Sequence, residues 1–285
     1  MKTIRLLLLL LVVIPSLAEA DMVIGGEIVY KVVKGDTIEH IGAKLGVNWR
    51  SIVKNNGIDI RKPLRIGQEI RADNRKIVPR KIDNGIIINI PDKTLYYFIE
   101  GELVHSFPVG LGKPAWMTPE GKFTIVLKQK NPTWYVPKSI QREMEMKGDV
   151  VKDIVPPGPN NPLGRYSVKT SLPGILIHET IWPTSVYQYR SHGCIRVLPS
   201  DMEEFFNRVE ISTSGEILYN TVKVAVSNDE RILLEVNRDI YRKIVSLDAE
   251  AKQMIINAGL EEKVDWQKVD MVVREKSGIP EDITL

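Results

Sequence analysis

Cys194 is the only cysteine of this 285-residue chain, and it stands in Ser191-His192-Gly193-Cys194-Ile195-Arg196. A lone cysteine cannot close an internal disulfide, and a free thiol is a hazard in an oxidising compartment. The strongest reason to keep one is nucleophilic chemistry. His192 lies two residues away and His178 lies upstream. Either can activate a thiol if the fold brings it close. Gly193 allows close backbone approach to a ligand, and neighbouring N–H groups can face an oxyanion. Pro199 to Phe206 reads as a helix start, with Ser200 and Glu203 as a capping box. A helix N-terminus, an arginine and histidines near the sulfur are expected to favour thiolate over thiol. Such a set suits acyl transfer through a thioester. Three zinc ligands are available in principle from His178, His192 and Cys194. No acidic metal motif accompanies them, so neither metal nor cofactor is expected.

These residues need a scaffold. Gly174 to Ile177 reads as a strand delivering His178 at its end, followed by a long loop to Arg190. Ile86–Ile90, Thr94–Ile99 and Leu103–Phe107 read as strands, with Glu100-Gly101 as a tight hairpin. Loops rich in Gly and Pro surround a short inserted helix near Ile140–Met146, and Trp116, Trp134 and Trp182 fall in the segments flanking the site. Gly215–Val226 and Arg231–Val236 carry the last strands. This pattern predicts a mostly-β sandwich over residues 85–236. From Asp239 the spacing turns helical. Ile240, Ile244 and Leu247 predict one helix, Ile255, Ile256 and Leu260 a second, and Trp266, Val269, Val272 and Val273 a third. Residues 237–285 are therefore expected to form a helical extension.

The N-terminus carries its own information. Lys2 and Arg5 precede an apolar run from Leu6 to Ile14, and Ala18-Glu19-Ala20 is a small-x-small site. Residues 1–20 are predicted to be a secretory signal with a short apolar run, too short to span a bilayer unless it stays uncleaved. Losing Lys2, Arg5 and Glu19 lowers the formal charge from +3 to +2. A near-neutral chain lacks the concentrated basic surface that nucleic acid requires. Residues 28–72 read as a separate strand-helix-helix-strand unit. Asp36 is the expected cap of its first helix, with Glu39 as box partner, and Gly46 the expected stop. Arg75 to Asn84 reads as a basic linker.

Two resemblances follow from these residues. Tyr30-Lys31-Val32-Val33-Lys34-Gly35-Asp36-Thr37, Asn55-Asn56 and Leu64-Arg65-Ile66-Gly67-Gln68-Glu69-Ile70 resemble a LysM module. The resemblance implies binding of N-acetylglucosamine-containing glycans, with Gly35, Asp36 and Thr37 beside the sugar groove. Ser191 to Arg196 with His178 resembles the signature of YkuD-type L,D-transpeptidases. Asn131-Pro132-Thr133-Trp134-Tyr135-Val136-Pro137 and Pro157-Gly158-Pro159-Asn160-Asn161-Pro162-Leu163-Gly164 are similar to the secreted, LysM-bearing ErfK/YbiS-like subgroup.

That likeness implies attack by Cys194 on a peptidoglycan stem tetrapeptide, with release of D-alanine. An amine then resolves the thioester. It is supplied by another stem's diamino acid or by an outer-membrane lipoprotein. The likeness implies His178 as base, the Glu179 carbonyl as its orienting group, and Gly193 and Cys194 N–H at the oxyanion. His192, Ser191, Arg196 and Glu179 are implied to shape the pocket or meet substrate, in a periplasmic, wall-associated enzyme. One departure stands out: the family usually has glycine where this chain has Glu179. A positive φ there would strain Glu179. A carboxylate there is also able to raise a histidine pKa or attract an amine. The alternatives are an L,D-carboxypeptidase or a lipoprotein-releasing amidase on the same fold, and a non-catalytic wall-binding protein.

Overall fold

The computed structural model describes residues 23–285. The apolar run and cleavage site expected within residues 1–20 lie outside the described residues. The first unit comprises β1 (Glu27–Lys31), α1 (Ile38–Leu45), α2 (Trp49–Asn56) and β2 (Glu69–Asp73). β1 and β2 pair antiparallel, and Val32, Ile41, Val47, Ile52, Ile70 and Ala72 fill a small core beneath them. Local chemistry sets the helix ends. Thr37 caps α1 by accepting the His40 N–H at 3.2 Å, and Asn48 caps α2 by accepting the Arg50 N–H at 3.0 Å. Gly46 and Gly57 end the helices at φ 64° and 60°, a region costly for other residues.

Asp36 is therefore not the cap. Its side chain, 1% exposed, accepts from the Tyr30 hydroxyl at 2.7 Å and the Val33 N–H at 2.9 Å, and pairs with Lys44 at 2.7 Å. It holds the turn closed from inside, so its carboxylate is not presented to a glycan. Gly35 and Thr37 are exposed beside it.

The stretch from Arg75 is wedged between units and is no free linker. Lys76–Ile77 pairs antiparallel with Val23–Ile24. The buried Lys76 ammonium donates to the Gly46 carbonyl and the Tyr187 hydroxyl, each at 2.9 Å. Ala43 of α1 packs on Val186 and Leu198, which belong to the second unit.

That second unit is a β-sandwich built from a sheet closed on itself. Its strands are β3 (Gly85–Asn89), β4 (Thr94–Ile99), β5 (Glu102–Gly112), β6 (Gly121–Lys130), β7 (Tyr166–Thr170), β8 (Leu176–Glu179), β9 (Tyr189–Ser191), β10 (Ile195–Val197) and β11 (Ser214–Leu218). One face runs β6-β11-β3-β4-β5 and the other β5-β10-β8-β7-β6, with β9 added beside β5. The long strands β5 and β6 belong to both faces, so closure leaves little free edge. Glu100 and Gly101 form the β4–β5 turn with φ of 51° and 78°, as a two-residue hairpin requires. Ile86, Ile88, Phe107, Val109, Ile177, Ile195 and Phe205 are among the residues buried between the faces. Two helices punctuate the sheet, α3 (Lys138–Lys147) in the long β6–β7 connection and α4 (Pro199–Arg208) after β10. Leu198 is the α4 N-cap position, and Ser200 bonds Asp201 while Glu203 bonds Tyr166, so no capping box forms there.

The C-terminal part differs from the expected helical tail. β12 (Val222–Val226), β13 (Ile232–Val236) and β14 (Glu281–Asp282) make a separate three-stranded sheet. It packs on α5 (Leu247–Asn257) and α6 (Trp266–Glu275) through its own core, including Val222, Leu234, Ala251, Ile255 and Val269. Of the strands read as the end of the sandwich, Gly215–Leu218 does close it, while Val222–Val226 and Ile232–Val236 begin a third unit. The first expected helix, around Ile240, is irregular chain instead. Asp239 accepts from the Tyr219 hydroxyl at 2.6 Å and from the Lys243 and Ile244 N–H groups, which ties it into a turn.

Candidate active site

Strand alternation assembles the site. β8 and β10 are parallel neighbours, with Ile177 beside Ile195 and His178 beside Arg196. Ile177, Ile195 and Val197 are fully buried in the sandwich core. Because side chains alternate along a strand, Leu176, His178, Cys194 and Arg196 share the opposite face. The sequence separates His178 from Cys194 by a loop, and the parallel register brings them to one surface.

His178 is 3% exposed, and its Nδ1 lies 2.6 Å from the Glu179 carbonyl oxygen. A carbonyl only accepts, so Nδ1 carries the proton and Nε2 keeps its lone pair. Burial pushes the His178 pKa down to about 4, the Glu179 carbonyl opposes this, and the Arg196 cation adds to it. Burial likewise raises the Cys194 thiol above its ordinary value, against the pull of the Leu176 N–H and Arg196. Both directions favour a neutral thiol and a neutral imidazole on this face, with the Cys194 Sγ 3.5 Å from the Gly174 carbonyl. This corrects the expected thiolate: the arginine and the backbone donor are present, but desolvation outweighs them.

The loop from Ser191 to Cys194 is braced from three sides. The Ser191 hydroxyl, 2% exposed, donates to the Cys194 carbonyl at 2.5 Å and accepts the Gly193 N–H at 3.2 Å. Ser191, expected to touch substrate, instead shapes the turn. Gly193 has φ 104°, a backbone state that a side chain would strain. The Thr118 hydroxyl donates to the Gly193 carbonyl at 2.9 Å. Thr118 is held in turn by Tyr241 of the third unit, whose hydroxyl accepts the Thr118 N–H at 3.2 Å and donates to the Gly112 carbonyl at 2.7 Å.

His192 is engaged by residues of other segments. Its Nε2 lies 2.5 Å from Glu143 of α3, and its ring meets the edge of Trp116 at 5.2 Å between centroids. Lys113 and Lys147 join the same carboxylate at 3.2 and 2.6 Å. The hydrogen bonds from Lys147 and His192 hold the Glu143 carboxyl down at about 2. Among the described residues no three His, Cys, Asp or Glu side chains gather as metal ligands.

Arg196 places its guanidinium 5.4 Å from the Trp182 ring centroid, and its buried Nε has no hydrogen-bond partner among the described residues. An unsatisfied buried donor on the face of the thiol is suited to an anionic or carbonyl group of a ligand. Glu179 does not face that surface. Its side chain lies over Gly164, where a Cβ would come within 2.6 Å of it, and Arg165 pairs with it at 3.3 Å. Glu179 is also absent from the residues with positive φ, so the unusual side chain sits without backbone strain. It neither raises the His178 pKa nor reaches toward an acceptor amine.

Glu143, Lys113, Thr118 and Tyr241 carry no local sequence motif. The one available signal was the Glu143–Lys147 spacing, which reads as an ordinary helix-surface pair.

The L,D-transpeptidase catalytic domain (YkuD) family matches residues 83–226, and the LysM domain family matches residues 30–73. "Probable L,D-transpeptidase ErfK/SrfK" of Salmonella typhimurium is 27% identical over 283 residues, spanning 95% of this chain and 90% of its own. The protein of the same name from Escherichia coli is 28% identical over 258 residues, spanning 87% of this chain and 82% of its own. The catalytic domain of an E. faecium L,D-transpeptidase acylated by ertapenem superposes with a TM-score of 0.38 at 23% identity, over 48% of this chain and 97% of that one.

Proposed function

The chain belongs to the L,D-transpeptidase (YkuD) family, and from that premise we propose that Cys194 is its nucleophile and His178 its general base. The observation that carries this reading is the 2.6 Å contact between His178 Nδ1 and the Glu179 carbonyl, on the strand register that puts His178 and Cys194 on one face. It leaves Nε2 as the only basic atom of the ring. As the sulfur attacks the scissile carbonyl of a stem tetrapeptide, the thiol proton passes to Nε2. The Cys194 N–H meets the developing oxyanion. The Gly193 N–H joins it by leaving the Ser191 hydroxyl. D-Alanine departs with the proton from His178, leaving a thioester. An acceptor amine then attacks, gives its proton to His178, and restores the thiol as the new amide forms.

A neutral pair favours this concerted transfer. Neither partner must shed a hydration shell or break an ion pair before the reaction. Arg196 is assigned to a substrate carboxylate or carbonyl, and the LysM module to the glycan that carries the stem. Peptidoglycan is the substrate this combination of domains supports, with the enzyme acting outside the cytoplasmic membrane. Among the described residues no helix is long and apolar enough to cross a membrane. The acceptor is taken to be a second stem, with a lipoprotein lysine as the alternative amine.

Mass spectrometry of the chain from Asp21 onward, incubated with disaccharide-tetrapeptide, tests the reading. The expected products are a thioester on Cys194 and a cross-linked dimer lacking one D-alanine, both abolished by Cys194→Ala. Tripeptide alone would assign water as acceptor and make the enzyme a carboxypeptidase. A folded, reduced protein that yields no product would overturn the catalytic reading.

A further inference from the structure

A second concavity lies where the three units meet. It has a volume of about 310 Å³ and is walled by the α1–α2 turn, the β3–β4 turn, the segment before β9 and the end of α6. That volume falls in the range of small-ligand sites. It lies away from Gly35 and Thr37, and none of the residues around Cys194 lines it.

Its charge is one-sided. Arg50, Lys76, Lys93, Arg238 and Lys276 line it, and among the described residues none of them has a carboxylate within 4.0 Å. The one acid in the wall, Asp73, is held by Arg75 at 2.6 Å. Asp92 and Glu235, behind the wall, are bound by Lys223 at 2.6 and 2.8 Å. Lys76 is 6% exposed and meets only a carbonyl and a phenol. The Lys93 ammonium bonds the Pro91 carbonyl at 3.1 Å and stands 4.4 Å from the Tyr187 ring centroid. Burial, reinforced by the Lys76 cation, draws the Lys93 pKa down from its ordinary value. Trp49, Tyr187 and Tyr189 add aromatic surface.

Backbone strain gathers here as well. Lys93, Tyr187 and Lys276 have φ of 55°, 59° and 48°, and for a bulky residue such as Tyr187 this is a real departure. Strain of this kind persists where the surroundings over-determine it, often at ligand sites. The cleft is thus concave, cationic, partly aromatic and held in a costly conformation.

We propose that this junction cleft binds a carboxylate-bearing stem peptide of the wall polymer, as a second substrate site next to the catalytic cleft. The inference rests on the peptidoglycan reading above. Asp92 and Glu235 act on Lys76 and Lys93 only from beyond ion-pair distance; cations with no paired carboxylate suit an anion, and the stem peptide is the substrate segment that carries carboxylates. Position selects it further. Tyr189 lines the cleft and begins β9, and three residues later the chain reaches His192 in the catalytic loop. Pro114 lines the cleft and Trp116, in the same short turn, meets His192. The first unit supplies one wall through Gly46 to Ser51, so the cleft joins the LysM unit to the unit that carries Cys194.

Calorimetry on the full Cys194→Ala protein tests this, with Arg238→Glu/Lys276→Glu in the same background. Arg238 follows β13 and Lys276 is the C-cap of α6, both outside regular elements, and an unchanged thermal midpoint verifies folding. Free stem tetrapeptide, which lacks the sugars assigned to the LysM module, is expected to bind with two sites per chain in the parent. In the charge-reversed protein the second site should weaken by at least about tenfold. Chitotetraose, which is neutral, should bind both proteins alike, and glycerol phosphate should bind the cleft more weakly than the tetrapeptide. Identical stoichiometry and affinity in both proteins would overturn the proposal. So would tighter binding of glycerol phosphate, which would assign the cleft to phosphate. An active wild-type enzyme with a single tetrapeptide site would remove the second site alone. A wild type that forms no thioester would remove the catalytic reading and leave the binding result standing.

Discussion

At the residue scale, the chemistry depends on how burial sets two protonation states. With the Cys194 thiol raised and His178 at about 4, the resting pair is neutral over the physiological range. Alkylation of Cys194 by iodoacetamide should therefore keep rising with pH past the ordinary thiol value. A plateau of high reactivity between about pH 5 and 7 would show a preformed ion pair and contradict this. The same histidine should mark stability. Its folded pKa of about 4 lies below the 6.5 of an unfolded chain, so the unfolded state binds the extra proton between the two. Its contribution is complete above pH 6.5 and lost as pH falls toward 4, amounting to about 3 kcal/mol. Urea unfolding of His178→Asn should lack this part of the acid slope, and an unchanged slope would refute it. Cys194 and His178 stood out as candidates through the motif around them, and the contact of His178 with the Glu179 carbonyl was implied by the family resemblance. The protonation states were not legible in the sequence, because desolvation depends on packing that no hexapeptide encodes. The Glu179 side chain was misread for the same reason: Gly164 and Arg165, which receive it, lie on another strand's approach.

At the element scale, α3 is more than an insertion in a long connection. Glu143 fastens it to His192, so the helix and the catalytic loop move together. Glu143→Gln keeps the shape and removes the charge that Lys113, Lys147 and His192 share. It should lower kcat/KM by about tenfold through misplacement of the loop, with the thermal midpoint nearly unchanged because the helix face is half-exposed. Steady-state kinetics beside a melting curve would separate these, and a full-rate variant would detach α3 from catalysis. The elements themselves were read with uneven success. The Glu100-Gly101 turn was plain, since two positive φ angles in a two-residue loop admit few residue types. The strand from Gly215 was placed in the right sheet, but those at Val222–Val226 and Ile232–Val236 were not, because alternation tells a strand and not its neighbour. The helix expected near Ile240 failed because Asp239 captures three local donors and closes a turn over the same apolar spacing.

At the scale of the whole molecule, the three units are joined by a buried charge cluster. Lys223 of β12 reaches Asp92 at 2.6 Å and Glu235 at 2.8 Å, all nearly without exposure. Glu235 accepts the Ile77 N–H at 2.6 Å, and Lys223 donates to the Ile77 carbonyl at 2.6 Å. The segment between the first two units is thereby clasped by the third. Lys223→Met would leave two carboxylates buried without their cation and should cost about 3–5 kcal/mol. Calorimetric unfolding should then show the third unit loosening from the sandwich; an unchanged midpoint would mean the cluster relaxes or hydrates. This architecture was hidden in the sequence, where a basic stretch with few apolar residues looked like a spacer. The closed sheet has a consequence for how the chain is made. β11 lies between β3 and β6, parallel to the one and antiparallel to the other, although it comes last of the three in sequence. A chain emerging N-terminus first from a ribosome therefore cannot complete the ring until Leu218 is out. The small N-terminal unit is free to fold at once, while the catalytic unit stays open through most of its own synthesis.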